Sequence, residues 1–315
     1  MNCIEHEHLW VEKFRPQVIE DCILPPELEK VFIDMVKSGI IPNMTLSGMQ
    51  GIGKTTVAIA LCKQLNVDYI LINGSMKGNI DTLRVEIQDF ASTVSLDDKP
   101  KIVILDEADN INIQSTQPAL RGFMEQFSAN CGFIMTCNYK SKILPALLSR
   151  CPVIDFVIPK KSKPVLAKKF YDRLVEILVH EKIKYAPKVV QQLTAKYFPD
   201  FRKTLGILQK YSLGGTIDEG ILINLQEINI DQLMSDMKNK EFTKVRKWVV
   251  SNIDNDCNLI YKKLYDSLDK NFDDNSVPQA ILKIAEYQYK HAFVADAEIN
   301  LVAALIELMA YCTFK

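Results

Sequence analysis

The segment from Asn43 to Thr56, NMTLSGMQGIGKTT, limits what this chain can fold into more than any other stretch. Gly48, Gly53, Lys54 and Thr55 stand in it at the spacing G-x-x-x-x-G-K-[ST], the pattern of a phosphate-binding loop. The alternation over Met44 to Leu46 predicts a strand entering the loop. TTVAIALCKQL from Thr55 predicts a helix with apolar residues at Val57, Ala58, Ala60, Leu61 and Leu65. Strand, glycine loop and helix follow in the order the pattern requires. The glycines let backbone N–H groups turn inward around an anion, and the new helix aims its positive end at the same point. Gly48, Gln50, Gly51, Ile52, Gly53, Lys54, Thr55 and Thr56 form the candidate cradle for ATP. Lys54 is expected at the β- and γ-phosphates, and the Thr55 hydroxyl on Mg²⁺.

With 315 residues, the chain exceeds what one core usually holds, so a nucleotide domain with one or two smaller units is expected. No apolar run approaches membrane-spanning length, and MNCIEHEHLW at the start is too polar for a signal peptide. The expectation is a cytoplasmic protein with no membrane partner. Eight cysteines with no C-x-x-C pair argue for reduced, buried thiols and against a zinc site. The net charge of −1 lends no support to nucleic-acid binding, which would need a local patch.

Along the chain, Leu9 to Pro25 reads as an irregular arm, and Glu27 to Lys37 as an amphipathic helix closed by Gly39. Tyr69 to Ile72 predicts a short buried strand, followed by a helix from about Asp81. KIVIL, Lys101 to Leu105, is the clearest buried strand, and it delivers DEAD at Asp106 to Asp109. A carboxylate at the end of such a strand is where phosphate-loop ATPases hold Mg²⁺. Asp106 is therefore the candidate metal partner, and Glu107 the residue to orient and polarise the attacking water. A helix from Gln114 to Phe127 leads to a strand, Gly132 to Thr136, ending in TCN. Asn138 then lies at a strand's carboxyl end, where it could hold the same water or merely form a turn. Val153 to Ile158 supplies a fifth strand. Strands alternating with helices predict an α/β fold with a five-stranded parallel sheet covered on both faces. From Pro159 three helical segments follow with no strand signal, and Asp231 to Lys315 is again helical. Its apolar stretch, Asp296 to Tyr311, suits a core, a subunit interface or some of each. The expected domains are 1–158, 159–228 and 229–315.

WVEKFRP, GMQGIGKTT, VILDEAD, TCN, SRC and FPDFRKTLG occur in that order, and together they resemble the clamp-loader ATPases of the replication factor C type within the AAA+ class. The similarity is closest to the small clamp-loader subunit of tailed bacteriophages. It covers the chain through about residue 212 by motif, and the remainder by size and helical character. It implies an AAA+ nucleotide domain, a helical lid and an all-α collar. The arm with Trp10, Phe14 and Arg15 would pack beside adenine. Arg150 would be an arginine finger inserted into a neighbour's ATP site, and Arg202 a second sensor on the chain's own lid. Read from the residues alone, both arginines are solvated surface groups.

The resemblance further implies a pentamer of copies of this chain and a distinct clamp-loader subunit, a sliding clamp, and primer-template DNA. Lys77, Arg84 and Arg121 are the basic residues on the DNA-facing segments, or else simply solvated charges. GSMKGNIDT departs from the family pattern there. QDFASTVS resembles the clamp-contacting segment, with Phe90 as anchor beside Ile87 and Val94; Phe90 reads equally well as core. An AAA+ Holliday-junction helicase shares the loop, acid and sensors, but should end in a basic winged helix. A scaffold that binds ATP without hydrolysing it would have no use for Glu107.

Overall fold

The computed structural model describes residues 8–75, 80–93, 100–218, 230–253, 257–291 and 293–315. The chain divides into two compact units, residues 1–221 and 222–315. In the first, the arm carries a short helix, α1 (Trp10–Lys13), and a 3₁₀ turn, Ile19–Asp21, where an irregular segment was expected. Helix α2 (Pro26–Ser38) starts at a proline and ends at Gly39, whose φ of 69° is the left-handed geometry that glycine permits at a helix end.

Strands β1 (Met44–Gly48), β2 (Tyr69–Asn73), β3 (Lys101–Asp106), β4 (Cys131–Cys137) and β5 (Val153–Phe156) form one all-parallel sheet in the order β2-β3-β4-β1-β5. Helices α3 (Lys54–Gln64), α4 (Ile80–Ser92), α5 (Thr116–Gln126) and α6 (Pro145–Leu148) make the connections between them. The period-2 alternation of β3 decides its two faces. Ile102 and Ile104 pack with Leu46, Phe32 and Leu61, whereas Val103 and Leu105 pack with Ile87, Leu120 and Phe133 on the opposite side. Burying each of these side chains contributes roughly 1.5–3 kcal/mol before the cost of ordering it. Because β1 is flanked by β4 and β5 while the chain leaves it for β2 beyond β3, a crevice opens at the strands' carboxyl ends.

Three helices follow, α7 (Lys163–His180), α8 (Pro187–Tyr197) and α9 (Phe201–Ser212). They are joined by a two-stranded parallel ladder, β6 (Lys184–Tyr185) with β7 (Thr216–Ile217). Sequence reading allowed no strand here, since two residues are too few to show a period.

In the second unit the described residues form helices at Ile230–Lys238, Phe242–Asn252, Cys257–Asp266, Leu268–Asn271, Val277–His291 and Ala297–Tyr311 around a single core. Asp296 caps the last of these by accepting from the N–H groups of Glu298 at 2.8 Å and Ile299 at 3.2 Å. Leu301, Ala304, Leu305 and Leu308 face inward, while Ile299 and Tyr311 on the same helix are exposed. Among the described residues no helix is long and apolar enough to cross a membrane.

Candidate functional site

The phosphate loop begins under steric pressure. A Cβ added at Gly48 would lie 2.8 Å from the Phe156 carbonyl oxygen, so only glycine lets β1 end against β5. Gly51 and Gly53 then turn the chain with φ of 75° and 96°, which brings successive N–H groups to one side. Lys54, the first residue of α3, is 8 % exposed. Its Nζ donates to the carbonyl oxygens of Gly48 and Met49, each at 2.8 Å, and to Asn138 Oδ1 at 3.0 Å. Burial lowers the pKa of this ammonium. The charges of Cys137, Asp106 and Asp109 oppose that effect, and Arg202 adds to it.

Across the crevice, the Thr55 hydroxyl donates to Asp106 Oδ1 at 2.6 Å, and the Thr136 hydroxyl reaches the same oxygen at 2.6 Å. Thr136 Oγ1 in turn accepts from the Glu107 N–H at 3.1 Å. Glu107 has φ of 54° and ψ of 45°, a left-handed conformation that is strained for a side chain with a Cβ. Its Oε2 accepts from the Ser75 hydroxyl and from Asn110 Nδ2 at 3.3 Å, and Asn110 also donates to Ser75 at 2.8 Å. Asp109 accepts the N–H groups of Asn138 and Tyr139 on Oδ2, both at 3.1 Å. The structure thus brings together Lys54, Thr55, Asp106, Glu107 and Asn138. Sequence reading missed Ser75 and Asp109, whose contacts cross between strand ends about 30 residues apart in the chain.

The lid meets the loop directly. The Phe201 N–H donates to the Gly51 carbonyl at 3.0 Å, and Asp200 caps α9 by accepting from the Lys203 N–H at 2.9 Å. A Cβ on Gly51 would come within 2.1 Å of Asp200 Oδ1. Arg202 lies on the first turn of α9 and lines the cleft, as do Phe170, Arg173 and Ile177 of α7. The last three had no signal in the sequence beyond helical periodicity.

From the arm, Phe14, Arg15 and Pro16 line the same cleft, and Arg15 Nε is buried there with no hydrogen-bond partner among the described residues. Trp10 does not line it and corrects the expectation. Trp10 is 6 % exposed, with its N–H on Gln209 Oε1 at 3.1 Å, so it fastens the arm to α9.

Arg150 lies away from this cleft. It donates to the Glu125 carboxylate and, at 2.8 Å, to the Ala146 carbonyl, and the guanidinium holds the Glu125 carboxyl below its usual range. Arg84 on α4 is exposed, as is Arg121 on α5, which pairs with Glu125 at 3.5 Å. Ile87 is fully buried in the sheet core, which corrects its reading as a clamp contact beside the Phe90 anchor. Phe90 is partly buried, with Lys101 Nζ 4.9 Å from its ring centroid. Lys77 and Val94 lie outside the described residues.

Residues 44–158 match the ATPase family associated with various cellular activities, and residues 163–223 match the sliding-clamp-loader large subunit AAA+ ATPase lid domain. Over 314 residues, 98 % of each chain, the sequence is 35 % identical to the sliding-clamp-loader large subunit of Escherichia phage RB69. The chain belongs to the sliding-clamp-loader family. It is 36 % identical to the subunit of the same name from Enterobacteria phage T4, over 99 % of this chain and 98 % of that one. It is also 31 % identical to the replication factor C small subunit of Sulfurisphaera tokodaii, over 98 % and 97 %. The phage relatives, expected from the motifs to be small subunits, are thus called large subunits, and the archaeal one a small subunit.

The Holliday junction branch migration motor RuvB of Thermotoga maritima superposes with a TM-score of 0.55 at 13 % identity, over 71 % of this chain and 78 % of that one. That likeness reaches no further than the fold. The AAA+ sheet, the lid and the helical C-terminal region are as the sequence predicts. The chain is a nucleotide-binding ATP hydrolase and a clamp-loader subunit.

Proposed function

We propose that this chain opens a ring-shaped sliding clamp and loads it onto primer-template DNA. It acts in a pentamer of its own copies with a distinct subunit, in the cytoplasm of a phage-infected bacterium, and hydrolysis releases clamp and DNA. The work comes from differential affinity, the ATP form holding clamp and DNA and the ADP form letting them go. Residues 1–158 serve as nucleotide domain, 159–228 as lid and 229–315 as collar.

The convergence of Thr55 and Thr136 on Asp106 Oδ1, with Glu107 next in the chain and Lys54 reaching Asn138, carries the hydrolytic part of this reading, and the likeness to sliding-clamp-loader subunits supports the rest. Thr55 and Asp106 present adjacent hard oxygen donors, a set that fits Mg²⁺, and they are the residues to hold it. The ion, when bound, neutralises charge on the β- and γ-phosphates.

Each residue then has a task. The N–H groups from Gln50 to Thr56 bind phosphate oxygens, and Lys54 turns from the loop carbonyls to the β- and γ-phosphates. Glu107 orients and polarises the attacking water, with Asn138 holding it from the opposite side. Arg202 reaches the γ-phosphate from the lid. Phe14 and the orphaned Arg15 Nε hold the adenosine end. Arg150, which is remote from its own cleft, supplies charge to the neighbouring subunit's site. Arg84 and Arg121, with Lys77, grip DNA phosphates, and Phe90 with Val94 meets the clamp.

Arg150→Ala tests the shared site. In the assembled complex with clamp and DNA, turnover is expected to fall about 10³-fold or more, while ATP binding and assembly persist. Wild-type turnover would overturn the role. Native mass spectrometry with the distinct subunit fixes the copy number.

A further inference from the structure

The turn that carries Asn138 is not held by β4 alone. Its two leading N–H groups, from Asn138 and Tyr139, both end on Asp109 Oδ2 at 3.1 Å. Asp109 sits in the 3₁₀ turn Ala108–Asn110, immediately beyond the acid pair at the end of β3. One carboxylate therefore ties the exit of β3 to the exit of β4, and those two exits deliver Asp106, Glu107 and Asn138.

Asp109 is 6 % exposed, and its other oxygen, Oδ1, is buried with no hydrogen-bond partner among the described residues. Burying a carboxylate with half of its capacity unused is costly, and hydrogen bonds from backbone amides to a charged group offset only part of that cost. Stability alone does not call for such a residue in the turn beyond β3. The position of the turn does, because Asn138 uses its side-chain oxygen on Lys54 Nζ at 3.0 Å, and any shift of the turn moves that oxygen.

We propose that Asp109 is a positioning residue for hydrolysis: its carboxylate clamps the N–H groups of Asn138 and Tyr139 and so fixes the Asn138 side chain relative to Lys54 and the end of β3. The inference rests on the hydrolytic role of Asn138 given above. It adds that the DEAD segment contributes a third acid, acting through the neighbouring strand and without contact to nucleotide.

A set of four full-length chains tests it: Asp109→Ala, Asp109→Asn, Asn138→Ala and the double variant Asp109→Ala/Asn138→Ala. Each is assembled with its partner subunit, clamp and DNA, and melting temperatures are recorded alongside. Asp109→Ala is expected to lower kcat by about 10- to 100-fold with KM for ATP nearly unchanged, the scale of a small displacement at a reacting centre. The double variant should be no slower than Asn138→Ala. Asp109→Asn keeps an oxygen for both N–H groups and should recover most of the rate.

Hydrogen exchange over residues 137–140 of the chain gives a readout free of catalysis. It should quicken about tenfold in Asp109→Ala and stay slow in Asp109→Asn, as expected for amides that open locally once their acceptor is gone. Wild-type kcat in Asp109→Ala, or losses that multiply in the double variant, would overturn the proposal. Wild-type kcat in Asn138→Ala would instead remove the role of Asn138, and the exchange data would still report whether Asp109 holds the turn. If Asp109→Ala fails to fold, Asp109→Asn decides: turnover and protection at 137–140 that are kept together, as expected, or lost together support the clamp, and slow turnover with slow exchange, or wild-type turnover with fast exchange, overturns it.

Discussion

The Ser75 hydroxyl donates to the Glu107 carboxylate, so the residue proposed to polarise water is engaged at the end of β2. Asn110 closes the triangle by bonding both partners. Glu107 must leave this arrangement to face the γ-phosphate; a hydrogen bond to a charged group is worth about 1.5–3 kcal/mol when buried, and this exposed one is screened to about 0.5–1.5 kcal/mol. Ser75→Ala is therefore expected to raise ATP turnover without DNA by about 2- to 10-fold, measured by phosphate release. Unchanged basal turnover would mean that the bond does not restrain Glu107.

Ile87 and Phe90 test core packing against the proposed clamp contact. Ile87→Ala removes a fully buried side chain and is expected to cost about 2–5 kcal/mol of stability in urea denaturation. Phe90→Ala, at a partly buried position, should cost less stability and instead weaken clamp binding several-fold. Wild-type clamp affinity in Phe90→Ala would return that residue to the core.

Arg84 and Arg121 are exposed on the helices that follow β2 and β3. If both touch DNA phosphates, replacing each with alanine lowers affinity and reduces the slope of log K against log salt by about 1. An affinity loss with an unaltered slope would point to a contact other than phosphate.

Burial pushes the Cys22, Cys62 and Cys151 thiols up from about 9 to about 12, and that of Cys131 to about 11. In the unfolded chain these thiols ionise near their ordinary value. Protons therefore leave the unfolded state first, and stability is lost as pH rises from about 9 toward about 12, by roughly 1.4 kcal/mol per pH unit for each such thiol. Urea midpoints at pH 8 and pH 10.5 check the sign: the midpoint should fall at the higher pH, and a flat or rising profile would contradict it. Thiol-directed labelling of these four cysteines at pH 8 should be slow until the protein unfolds.

The phosphate loop and β3 were legible because their chemistry is contiguous: a strand, a turn and a helix follow one another, and the acid pair ends an unbroken apolar run. Helix α4 was harder to read. Its apolar residues recur at helical spacing, yet only the sheet reveals that Ile87 points inward. Trp10 was assigned to nucleotide from its place in a motif, and packing against α9 claims it instead. Ser75, Asp109 and Arg173 carry no local signature, because each acquires its meaning from a partner brought near by the order of strands or by the lid.

The arm is fastened at two places beyond the sheet. Lys13 pairs with Glu181 at 2.8 Å, Phe14 meets the His180 ring edge-on at 5.3 Å, and Trp10 is bound to Gln209. The chain's first helix thus rides on α7 and α9, although the strands it precedes belong to the opposite wall. Further along the same arm, Ile19, Cys22 and Leu24 are buried with Phe32 and Leu61 in the core beside the sheet, so one short segment staples the lid helices to the wall they face.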